Sequence, residues 1–65
     1  MKYKIEIWCW RELQDIYESE DVQDVLDWFL SNWYASYDNG FCSFCVYEDD
    51  RELSFEEGYD LGFYR

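Results

Sequence analysis

Carboxylates are the chemically prominent groups in this chain, and no histidine accompanies them. Asp and Glu number 16 against five Lys and Arg, for a formal net charge of −11 over 65 residues. Fifteen of the acids fall between Glu12 and Asp60, a stretch whose single base is Arg51. Without histidine the usual general base near neutral pH is missing, and no Ser–His or Cys–His nucleophile pair can be assembled. Paired carboxylates can hydrolyse glycosides, but 65 residues leave little room for a substrate cleft. The run at 48–57, EDDRELSFEE, lacks the D-x-[DN]-x-[DN]-G spacing of a calcium loop, and no glycine-rich phosphate loop is present. The chain reads as a non-enzyme with no cofactor and no metal site.

The cysteines are Cys9, Cys42 and Cys45. An odd count, with no secretory pattern, predicts free thiols in a reducing cytoplasm. Lys2 and Lys4 are not followed by the run of roughly 7–15 apolar residues that a signal peptide needs, and no window approaches the ~18 apolar residues of a membrane span. Cys42 and Cys45 form a C-x-x-C inside FCSFCVY. In a strand, residues three apart point to opposite faces, and no histidine or second C-x-x-C completes a tetrahedral site. They read as buried structural cysteines behaving as small hydrophobes.

What remains for the acids is to be a surface. Glu20, Asp24 and Asp27 recur at helical spacing, where like charges oppose helix formation by roughly 0.2–0.5 kcal/mol per neighbouring pair. Carboxylates one turn apart stand about 6 Å from each other, comparable with the step between phosphates along a nucleic-acid strand. A face bearing Glu18, Glu20, Asp21, Asp24 and Asp27, flanked by Glu48, Asp49, Asp50, Glu52, Glu56 and Glu57, would present a phosphate-like array. The plainer alternative is an acidic face that only keeps the protein soluble, although −11 exceeds the magnitude of about 2–8 that suffices for solubility. So acidic a chain is a poor direct ligand for nucleic acid or anionic lipid.

Hydropathy patterning supplies the elements that would position these groups. Residues 3–10, YKIEIWCW, alternate with Tyr3, Ile5, Ile7 and Cys9 on one face and Trp8 and Trp10 on the other, as in a strand. Residues 13–17 read as a second strand, although no Asn-Gly or Asp-Gly marks the turn. Ser19 then stands as a helix N-cap, and Val22, Val25, Leu26, Phe29, Leu30 and Trp33 form an amphipathic stripe. Residues 34–40 end the helix, with Asp38-Asn39-Gly40 supplying turn chemistry. Residues 41–47 read as a central strand buried on most of both faces. Residues 48–51 form a polar turn, and 52–55 pair back as an edge strand. Ser54-x-x-Glu57 also fits a capping box, which makes residues 55–61 a short helical turn instead.

These pieces predict a single compact α+β domain over residues 1–65. It is a small antiparallel sheet of three or four strands with one amphipathic helix packed on it, ordered β(β)αββ. A chain this small buries only about 60% of its unfolded surface, and its 25% aromatic content supplies much apolar area per residue. Trp28 lies off the helical stripe, and Tyr34 and Tyr37 fall in the following loop, so exposed rings are expected there. Trp8 and Trp10 face away from the helix, either covered by the tail at 59–64 or free to make contacts.

In size, charge and lack of catalytic groups the chain resembles the small acidic inhibitors that phages and mobile elements direct against bacterial defences. These include anti-CRISPR, anti-restriction and uracil-glycosylase-inhibitor proteins, several of which mimic DNA. The resemblance implies a non-enzymatic DNA mimic that blocks the nucleic-acid-binding surface of a basic host protein, of the nuclease or CRISPR effector class, in the bacterial cytoplasm. Trp28 would then be the desolvated anchor. The alternative is an interaction module that homodimerises through an exposed aromatic sheet face.

Overall fold

Alternating burial makes Tyr3–Cys9 a strand, β1, with Ile5, Ile7 and Cys9 buried and Lys4, Glu6 and Trp8 only partly covered. The structure, a computed structural model describing residues 1–64, continues with β2 (Glu12–Ser19), α1 (Val22–Asn32), α2 (Tyr34–Asp38), β3 (Cys42–Glu48), β4 (Arg51–Glu52) and α3 (Phe55–Leu61). The strands form one antiparallel sheet in the order β2-β1-β3-β4, so the fold is α+β. Among the described residues no helix is long and apolar enough to cross a membrane.

Trp10 belongs to the hairpin turn and not to β1. Trp10 and Arg11 connect Cys9 to its partner Glu12, and both have positive φ, 56° and 68°. That is the backbone of a tight primed turn, made here by two residues that disfavour it. Beyond the turn Gln14 bulges out of β2, since Ile7 pairs with Asp15 but Trp8 with Leu13. The Ile16 N–H donates to Asp15 Oδ1 at 2.9 Å. A bulge and a carboxylate on the backbone blunt this long edge strand against further pairing.

The helix start also shifts. Asp21 is the N-cap of α1, accepting from the Gln23 N–H at 3.0 Å, while Ser19 remains in β2 and its hydroxyl accepts from the Asp21 N–H. The apolar stripe packs as its spacing requires: Val25, Leu26 and Phe29 are buried, and Val22, Leu30 and Trp33 pack beside them. After Trp33 the chain makes a further helical turn, α2, and does not pass directly into a loop. Tyr34 and Tyr37 are therefore not free rings; both meet Phe29 edge-on, with centroids at 6.0 and 6.2 Å.

In β3 only Phe44 and Val46 are buried, so this central strand covers one face and leaves Ser43, Cys45 and Tyr47 on the other. The edge strand β4 is only two residues long because the capping box prevails. Ser54 Oγ accepts from the Glu57 N–H at 3.2 Å, and Glu57 Oε1 accepts from the Ser54 N–H at 3.1 Å. Gly62, at φ 100°, ends α3 in the left-handed conformation that favours glycine. The tail then turns inward: Phe63 is fully buried against Phe29 and Phe44. It thus joins α1 on the face of Ile5, Ile7, Phe44 and Val46, and does not cover Trp8. Among the described residues no helix packs over the sheet's opposite face, which carries Trp8, Leu13 and Ile16.

Two cysteines depart from the expected free thiols. Cys9 and Cys42 lie directly opposite in the β1–β3 ladder, with Cα atoms 4.2 Å apart, and form a disulfide. Closing a loop between residues 33 apart in sequence stabilises a fold by about 3–4 kcal/mol in the chain-entropy account. Cys45 is free and points to the open face; burial, then the neighbouring Glu52, push its thiol upward, which makes it a weak nucleophile.

The hairpin generates a stability prediction. Trp10 is 80% exposed, so replacing Trp10-Arg11 with Asn-Gly sacrifices little packing while removing left-handed strain at two positions. Thermal unfolding should show a gain of about 1–2 kcal/mol, a rise in Tm of about 5–10 °C; an unchanged or lower Tm contradicts the turn assignment.

Candidate functional site

Sheet register decides which acids meet. Ser19 and Glu48 both pair with Tyr3, so the end of β2, the start of β1 and the end of β3 share one end of the sheet. That end receives Glu18, Glu20 and Asp21 from the β2–α1 junction and Glu48, Asp49 and Asp50 from the β3–β4 turn. Lys2 joins the two groups. Its Nζ lies 2.6 Å from Glu18 Oε2, its backbone N–H donates to Asp49 Oδ1 at 3.0 Å, and its carbonyl accepts from the Asp49 N–H at 2.7 Å. Lys2, Lys4, Glu18, Asp49 and Asp50 line one concavity. The Glu18 hydrogen bond and charge, with help from Glu20, hold the Lys2 ammonium above its ordinary range. Lys2 reciprocally holds Glu18 below the usual carboxylate range.

The rest of the predicted array is divided. Asp24 and Asp27 continue along α1, where Asp24 Oδ2 accepts from the Tyr17 hydroxyl at 2.9 Å and Asp27 Oδ1 from the Gln23 side-chain amide at 2.9 Å. The bond to Asp24 raises the Tyr17 phenol. Trp28 is not the exposed anchor its position off the stripe suggested. It stacks on Tyr17 with centroids 4.8 Å apart and planes 7° from parallel, and it packs against the core. Glu52 pairs with Tyr47 in the ladder, next to Cys45. Glu57 forms a two-pronged pair with Arg51, both N–H···O contacts at 2.9 Å. Glu56 lies one helical turn from Asp60, and both line a groove with Phe55 and Tyr59.

These carboxylates display charge and accept hydrogen bonds. Among the described residues no group of three His, Cys, Asp or Glu side chains is arranged to hold a metal ion. On the open face Lys4 is occupied, 3.4 Å from Glu6 Oε2 and 4.7 Å above the Tyr47 ring; burial, then Glu6, raise the Tyr47 phenol. Asp15 is a residue that sequence reasoning missed: its second oxygen accepts from the Trp33 indole at 3.2 Å and ties the end of α1 to β2. Nothing local signals that contact across 18 residues. Phe55, Tyr59 and Asp60 were also missed, yet the i, i+4 spacing of Phe55/Tyr59 and Glu56/Asp60 becomes legible once the capping box makes 55–61 helical.

No protein-family model matches the chain, and neither a curated protein nor a solved structure matches it.

Glu57 carries the site's clearest pH signature. Its carboxyl is held down to about 2, first by Arg51 and then by the Ser54 N–H. A depressed carboxylate contributes stability that is fully present above its unfolded value, near 4.5, and is lost as pH falls through about 2. Arg51→Gln should move the Glu57 midpoint most of the way back toward 4.5, followed by NMR titration of the side-chain carboxyl; an unmoved midpoint contradicts the pairing.

Proposed function

We propose that this protein is a non-enzymatic acidic inhibitor that mimics DNA and occupies the nucleic-acid-binding surface of a basic host defence protein, in the manner of anti-CRISPR proteins. The observation that carries the reading is the convergence of Glu18, Glu20, Asp21, Glu48, Asp49 and Asp50 at one end of the sheet. Lys2 is the cation bound between them. The longest dimension is 29 Å, slightly less than the ~34 Å of one duplex turn, so the mimicry spans under one turn. A dense, fixed anionic rim raises the rate of encounter with a basic channel and disfavours other partners. The partner is a nuclease or CRISPR effector, and neither nucleic acid nor a membrane is contacted directly. The setting is the cytoplasm of a bacterial host. Disulfides rarely persist there; in that setting the β1–β3 ladder, and not the Cys9–Cys42 bond, would have to hold the two residues opposite each other.

The test is capture of basic proteins from bacterial lysate on the immobilised chain, with and without competing duplex DNA. Duplex DNA should release the captured protein, and affinity should fall about tenfold or more between roughly 50 and 200 mM salt. Glu20→Lys with Asp50→Lys should abolish capture while the far-UV spectrum is unchanged, because neither side chain caps a helix or ties the terminus. Salt-independent binding that duplex DNA leaves intact contradicts mimicry.

One observation favours a second reading. Leu13 and Ile16, 44% and 43% exposed, lie beside Trp8 on the open sheet face, a surface suited to homodimerisation. In that case a sizing column shows a concentration-dependent dimer that Trp8→Ala dissociates, and charge reversal at the rim has little effect; a monomer at every concentration eliminates it.

A further inference from the structure

Two large rings on α3 remain in solvent: Phe55 is 65% exposed and Tyr59 60%. They are nonetheless held in place. Their centroids are 6.5 Å apart with planes 27° from parallel, and Phe55 rests on Tyr64 at 4.4 Å. Tyr64 is fixed in turn against Phe44 at 5.0 Å and over Gly58, where a Cβ would stand 2.6 Å from its ring. Phe55 and Tyr59 line a groove of about 360 Å3 with Glu56 and Asp60. Among the described residues neither carboxylate is paired with a cation, and Arg51 nearby is committed to Glu57.

We infer that this groove is a seat for an arginine side chain of the partner protein. Positioned aromatic faces beside two carboxylates that have no cation partner among the described residues complement a planar, weakly hydrated cation, and the guanidinium is the side chain of that kind that stays charged across physiological pH. A lysine ammonium matches the charge but neither the plane nor the paired donors. The inference deepens the proposed function by giving the basic partner a specific contact, on rings more exposed than the half-buried Trp28. Preorganisation through Tyr64 and Gly58 reduces the ordering that binding would otherwise require.

The test needs no partner protein. Amide and aromatic NMR signals of the full chain are followed during titration with N-acetylarginine amide, N-acetyllysine amide or the uncharged N-acetylcitrulline amide. Arginine should give saturable shifts confined to residues 55–60, lysine should bind about fivefold more weakly, and citrulline should give none. Tyr59→Ala, which leaves the charge unchanged, should weaken arginine binding about fivefold or more, as should the isosteric pair Glu56→Gln with Asp60→Asn. Shifts that spread equally to residues 18–21, or a Tyr59→Ala variant that binds unchanged, overturn the seat. That failure alongside DNA-sensitive capture would leave the mimicry reading standing, and the two are thereby separable.

Discussion

Phe29 is the contact on which the other elements depend. It is fully buried and meets α2 through Tyr34 and Tyr37, β3 through Phe44 and the C-terminal tail through Phe63. One ring thus joins a helix, a second helical turn, a central strand and the end of the chain. A domain of this size has only enough apolar material for one such layer. Among the described residues all nine buried hydrophobics belong to the cluster on that side of the sheet. The consequence is a one-sided molecule: the fully buried rings and aliphatics share one layer, while Leu13, Ile16, Phe55 and Tyr59 stay exposed outside it.

The rim's charge follows from strand pairing more than from helix periodicity. Along α1 the acids are partly engaged: Asp21 caps the helix, Asp24 holds Tyr17, and Asp27 takes the Gln23 amide. The denser accumulation arises where two chain reversals, residues 19–21 and 49–50, fall at the same end of the sheet. Surface ion pairs such as Lys2–Glu18 do not change its sign. Excess carboxylate fixed on a small rigid frame is a persistent field, and at moderate ionic strength that field reaches about one Debye length, ~8–10 Å, beyond the surface.

Local periodicity made much of this architecture readable. Tyr3–Cys9 and the stripe from Val22 to Trp33 are each long enough for one face to dominate, and both pack as their patterns require. What was not readable depended on partners distant in sequence or on residues in unfavoured conformations. Trp10 and Arg11 adopt a turn normally marked by Asn or Gly, so β1 appeared one residue too long. Cys9 and Cys42 become neighbours only through sheet register, which a single odd count of cysteines does not reveal. Trp28 lies off the stripe, which points it to solvent, but Tyr17 of the edge strand supplies its partner. For the acids, composition gave the quantity, while the β1 register determined which of them share an end.

Under the proposed function the acidic rim, and not the uncovered sheet face, would be the surface that a basic protein meets. Hydrogen–deuterium exchange of the chain, free and bound to a captured basic protein, distinguishes the two surfaces. Slowed exchange centred on residues 18–21 and 48–51, with Trp8, Leu13 and Ile16 unchanged, is the predicted result. Protection confined to that sheet face, with both acidic reversals exchanging as in the free chain, would contradict it.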